Sequence, residues 1–256
     1  MNLEVGLLDE DEDVFETALL AAVHAGPSGE RSLLNALRST RTEDRATGLV
    51  AALGEADGPD GVEALRAIVA QPVDPLELRT TAVVALTKRQ GAAASDVLLG
   101  CLVDPDPSMP GYALMGLASV GDDRAWREVL EWLRSTLNDR QANHPHDFDD
   151  RTLVAQSDIV AAVSYLAQHA AESWDRQQPV VHLLRLRWDR LRGAEQRWLT
   201  VSWPACDPSQ PQVFTELEPT WFADWISEPL FDALFREGGP EPEERPAGHP
   251  QLSEAP

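Results

Sequence analysis

Basic residues are scarce in this chain. Its 256 residues include 21 Lys and Arg against 43 Asp and Glu, a formal net charge of −22. A surface so short of cations disfavours unassisted binding to phosphate backbones or anionic lipid, which both need clustered Lys and Arg. Cysteine is nearly missing too. Cys101 and Cys206 stand alone with no CxxC spacing, and Cys101 lies in the apolar run VLLGCLV, where a reduced buried thiol is expected rather than a disulfide. No stretch approaches the roughly 20 apolar residues that span a bilayer. The opening MNLEVGLLDEDED has no basic start and turns acidic where a signal peptide is most apolar, so the expected location is cytoplasmic. HExxH, GxSxG, GxGxxG and GxxxxGK[ST] strings are likewise missing, which removes the commonest sequence handles on an enzyme.

What the chain does have is repetition. LVAALGEADG, AVVALTKRQG and YALMGLASVG reach Gly58, Gly91 and Gly121, spaced 33 and then 30 residues apart, and each is followed by a second apolar helix pattern. A period of this length marks a solenoid, in which one helical hairpin buries its apolar faces only by stacking on its neighbours. Ahead of the repeats, an acidic run from Asp9 to Asp13 precedes a helix ended by Gly26 and Pro27, and a second helix follows from Ser28 to Ser39. Together they read as a degenerate capping hairpin. The acidic run itself reads as helix capping plus solubility, since negative charge is favoured at a helix N-terminus.

Thr42 opens the first clear repeat, whose second helix buries Leu65, Ile68 and Val69. The second begins at VDPLELR with Pro75 at a helix start, and the third at VDPDPSMPGYAL, which repeats the VDP triplet. Arg45, Ala52, Leu53 and Gly54, then Asp74, Arg79, Ala82, Ala85, Leu86 and Gly91, then Asp104, Ala113, Leu117 and Gly121 share one pattern. This pattern resembles the HEAT-like repeats of the phycobilisome-lyase type over about 90 residues, with Met109 and Pro110 where the third arginine would stand. The resemblance implies an all-α, armadillo-like superhelix and carries no catalytic residue across.

The expected organisation is a repeat array over 1–137, a polar loop over 138–150, a helical Trp-rich region over 151–237, and a disordered acidic tail over 238–256. Six of the eight tryptophans lie beyond Ala171. The helix after the loop is expected to run to about Glu172, and Pro179 is expected to start the next, both longer than the repeat helices. In the loop, His144, His146, Asp147, Asp149 and Asp150 are the only metal-like cluster, and a flexible polar turn explains them as well as a metal does. Six arginines between Arg176 and Arg197 form a basic stretch, expected to pair with acidic residues of neighbouring helices or to receive an anionic segment.

These features point to a non-enzymatic scaffold or adaptor that binds a basic protein partner, with no cofactor, metal, nucleic acid or membrane. The binding surface is expected on the concave ridge of second helices: Glu63, Arg66, Asp96, Arg127, Glu128, Glu131 and the off-stripe Trp132. An acidic immunity or antitoxin-type inhibitor, or a non-catalytic subunit of a lyase-like enzyme, is the alternative.

Overall fold

The computed structural model describes residues 2–72, 74–141 and 157–217, and every regular element among them is a helix. A one-turn α1 (Leu3–Gly6) precedes four hairpins: α2 (Glu12–Val23) with α3 (Pro27–Ser39), α4 (Glu43–Glu55) with α5 (Gly61–Val69), α6 (Leu76–Gln90) with α7 (Ser95–Cys101), and α8 (Met109–Val120) with α9 (Trp126–Asp139). Then come α10 (Asp158–Ala170), α11 (Trp174–Leu186) and α12 (Gly193–Ser202), followed by a 3-10 turn (Pro204–Cys206), a turn over 207–210 and an irregular segment to Leu217.

The first helices α2, α4, α6, α8 and α10 pack side by side in that order. Contacts between like ends show that they run parallel. Arg45 near the start of α4 reaches Asp9, Glu10 and Glu12 at the start of α2. Lys88 near the end of α6 pairs with Glu55 at the end of α4. Gln168 near the end of α10 donates to the Ala118 carbonyl near the end of α8, at 2.7 Å. The fold is therefore an all-α superhelix of stacked hairpins, and α10 extends the stack beyond the repeats.

Close approach within this layer follows from small side chains. A Cβ on Gly54 of α4 would fall 2.8 Å from the Cβ of Ala85 on α6. With Gly and Ala at the contacts the helices sit deep, and every residue from Arg79 to Thr87 is buried. The second helices bury only a stripe. In α9 this is Val129, Leu133 and Leu137, at the i, i+4 spacing of one helix face. Removing a fully buried leucine from the inner layer, such as Leu53 or Leu86, costs about 2–5 kcal/mol.

Helix ends follow two of the three repeat glycines. Gly91 ends α6 at φ 54°, a left-handed conformation that glycine adopts without Cβ strain. Gly121 caps α8. The first differs: α4 stops at Glu55, and Gly58 instead makes room for a carboxylate, since a Cβ there would lie 2.1 Å from Glu30 Oε2. Pro179 also departs from expectation. It lies inside α11, which starts at Trp174 behind Ser173. The residue whose carbonyl Pro179 cannot serve is the exposed Asp175, in the first turn of the helix. At 13 residues each, α10 and α11 are no longer than α4. The tail over 238–256 lies outside the described residues.

Candidate partner-binding surface

Of the first helices, α2, α4 and α6 begin with exposed carboxylates for a local reason, whereas α8 has no acidic residue in its first turn. Asp11 caps α2 by accepting the amides of Asp13, at 3.0 Å, and Val14, at 3.4 Å. Glu43 and Asp44 occupy the first turn of α4, and Glu77 that of α6, where the helix dipole favours negative charge. Because the first helices are parallel, these separate local choices add along one edge of the stack. Glu10, Asp11, Glu12, Asp13, Glu43, Asp44 and Glu77 are exposed there, and Asp74 and Asp106 are half-buried.

Two arginines of the same edge are turned inward. Arg45 donates to the Glu10 carbonyl at 3.0 Å and to that of Asp9, and its guanidinium lies 4.7 Å over the Phe15 ring. Arg79 is 2% exposed, donating to Asp104 and to the Val69 carbonyl. This bond holds the Asp104 carboxyl below the usual carboxylate range. Arg41 adds an exposed cation just before α4. The edge is thus strongly negative and its positive charge is largely committed to holding hairpins together.

The ridge anticipated from sequence is differently charged. Glu63, Arg66, Asp96, Arg127, Glu128 and Glu131 are all exposed on α5, α7 and α9. Arg66 donates to Gln90 at 2.9 Å, Asp96 accepts from Arg124 at 3.2 Å, and Glu131 accepts from Arg134 at 2.5 Å. Trp132 is half-buried and packs against the core. The ridge mixes both signs and answers much of its own charge. The edge is more uniformly negative, and of its carboxylates only the run from Asp9 to Asp13 is read from sequence, as helix capping. The signal for them was the acidic start of α2, α4 and α6 combined with the parallel order that hairpin stacking imposes.

At the opposite edge a polar cluster surrounds the α8–α9 turn. Tyr165 donates to the Asp122 carbonyl at 2.5 Å, and its ring centroid lies 4.5 Å from that of His169. Arg176 donates to the His169 carbonyl and to Asp123, both at 3.1 Å, and lies 5.4 Å over the Trp126 ring. Burial lowers the His169 pKa and raises that of Tyr165, so both side chains are held neutral. The cysteines are free and buried. Burial pushes the Cys101 thiol up to about 11 and raises Cys206 as well, leaving both unreactive as nucleophiles.

Three of the six arginines, Arg176, Arg185 and Arg190, donate to main-chain carbonyls. Arg185 donates to those of Ala205, Asp207, Pro208 and Gln210 at 2.7–3.2 Å. Arg190 donates to the Arg140 carbonyl, Arg187 to Asn138 at 2.8 Å, and Arg176 reaches Asp123 of a neighbouring hairpin. Among the described residues no three His, Cys, Asp or Glu side chains come together as a metal site, and no helix is long and apolar enough to cross a membrane. The cluster from His144 to Asp150 lies outside the described residues. No family model, curated protein or solved structure matches this chain.

Proposed function

We propose that the chain is a non-enzymatic interaction module, built of HEAT-like hairpins, that docks a basic protein through the acidic edge formed by the first-helix N-termini. The observation that carries this reading is the one-sided charge: exposed carboxylates run from Glu10 through Glu43 and Asp44 to Glu77, while Arg45 and Arg79 face inward. Such an edge speeds encounter with a cationic surface and rejects acidic ones, and the salt dependence of binding follows from the same charges.

The test is capture of partners from the native host by the wild-type chain and by a variant carrying Glu10→Lys, Glu43→Lys, Asp44→Lys and Glu77→Lys. These side chains are exposed, so the fold should survive the change. A basic protein held by the wild type, released at about 0.5 M salt, where charges are screened beyond about 4 Å, and lost by the variant is the expected result. Equal retention by both proteins would refute the reading.

A further inference from the structure

Exposed apolar side chains collect at the two ends of the stack. Among the described residues nine large apolar side chains are exposed, and only Leu76 and Val103 lie along its length. Val5, Leu8 and Leu20, 49–62% exposed, sit on α1, the link after it and α2. Here α1 packs on α2 and α3, and Asn35 of α3 donates to Glu4 at 3.1 Å, so the three belong to the first end. Leu186 and Val201, both 58% exposed, lie where α11 and α12 finish, and the exposed Val213 and Phe214 follow. Asp207 joins the two helices: its carbonyl accepts from Arg185, beside Leu186, at 2.7 Å, and its carboxylate accepts from Thr200, beside Val201, at 2.9 Å. Hairpin stacks stay apart when their terminal units turn a polar face outward, and neither end here is wholly polar.

The two ends also differ in charge. No Lys or Arg precedes Arg31, whereas Glu4, the run from Asp9 to Asp13 and Glu16 are acidic. Residues 185–197 hold five arginines against Asp189 and Glu195, and Glu195 is buried against Arg140. Like ends therefore repel and unlike ends attract, which selects the pairing. We propose that copies of this chain associate head to tail, with the α1–α2 end of one copy seated on the α11–α12 end of the next. Apolar burial supplies the affinity and charge sets the polarity. Because the two surfaces differ, the contact is heterologous, so it repeats along a filament or closes a ring. The edge carboxylates of α4 and α6 take no part in it, so it is separate from the docking of a basic partner.

The experiment uses two variants of the full chain, each blocking one end. Leu8→Lys with Leu20→Lys sets cations against the arginine-rich end, and Leu186→Glu with Val201→Glu sets carboxylates against the acidic one. All four side chains are at least 48% exposed, so the fold should survive. Should a pair unfold, Leu20→Lys or Val201→Glu alone replaces it. Sedimentation equilibrium of the wild type, taken up to about 1 mM, should show a mean mass at least about twice that of the monomer. Each variant alone should stay monomeric where the wild type associates. An equal mixture of the two should form dimers and nothing larger, since each supplies the end that the other lacks. A wild type that stays monomeric, a mixture that stays monomeric, or association retained by either variant alone would overturn the proposal. Every edge carboxylate is untouched in these variants, so the outcome is independent of partner capture by the acidic edge.

Discussion

Arginine holds both halves of this molecule, with different partners. In the repeats the buried arginines join a carboxylate to main-chain carbonyls: Arg79 meets Asp104 and the Val69 carbonyl, and Arg89 meets the Leu53 carbonyl and Glu30, the latter at 2.5 Å with side chains 10% and 1% exposed. On α11, Arg185 instead serves four main-chain carbonyls, while Arg176 of the same helix also reaches Asp123. The cost of removing a partner differs accordingly. A buried carboxylate left alone is an uncompensated charge in a low-dielectric interior. A carbonyl left alone at the surface turns to water.

The largest effect is expected at Glu30, which also accepts the amides of Asp60 at 3.0 Å and Gly61 at 2.9 Å. Glu30→Ala leaves the Arg89 charge without its carboxylate, although its bond to the Leu53 carbonyl remains, and leaves two backbone donors unpaired, and should cost about 3–5 kcal/mol in urea unfolding. Removing Arg89 as well should cost less than the sum of the single changes, because the two form one network. Additive losses would show that the pair is not coupled. Arg185→Ala should cost less, about 1.5–3 kcal/mol, because its bonds are charge-assisted but partly hydrated. A loss equal to that of Glu30→Ala would erase the distinction between the two halves.

This contrast also explains what the sequence made legible. The stack was readable because its cause is periodic: the same small and apolar residues recur where the same helix contacts recur, and Gly91 and Gly121 mark the ends. Asp104 stands 25 residues after Arg79, within one repeat length, so an intra-array pair could be anticipated from the pattern. Arg185 has no such partner in sequence, since carbonyls belong to every residue and the segment from Ala205 to Gln210 has no period. Pro179 misled for a related reason. Sequence reads a proline as a helix start, whereas the exposure of Asp175, whose carbonyl it would serve, is a tertiary fact. The third repeat lacks its arginine, and its place in the stack is filled differently: the Asp158 carboxylate of α10 lies against Gly111, where a Cβ would fall 2.4 Å from Oδ1. Burial raises the pKa of this carboxylate, opposed by Arg140 and Arg192.

Titration offers the finest separation of the two edges. Asp104, on the acidic edge, has a pKa lowered chiefly by its bond to Arg79. Its stabilisation is present above the unfolded value of about 3.9 and is lost only as pH falls through the still lower folded value. His169, on the opposite edge, has a pKa lowered by burial, faced by Asp122 and Asp123 from the α8–α9 turn, Arg176 from α11 and Tyr165 from its own helix. Its neutral form is the native one, so the unfolded chain binds a proton first, and stability falls as pH drops below the unfolded value of about 6.5. Asp158 acts with the opposite sign, losing stability as pH rises through its raised folded pKa. Subtracting the curve of a His169→Gln variant from that of the wild type cancels Asp158 and the exposed His24 and His182. Thermal unfolding followed from pH 7 to 5 should then show the wild type losing stability relative to the variant. A flat difference curve would mean that His169 accepts its proton as readily in the fold as outside it, and that the two edges do not differ in what they titrate.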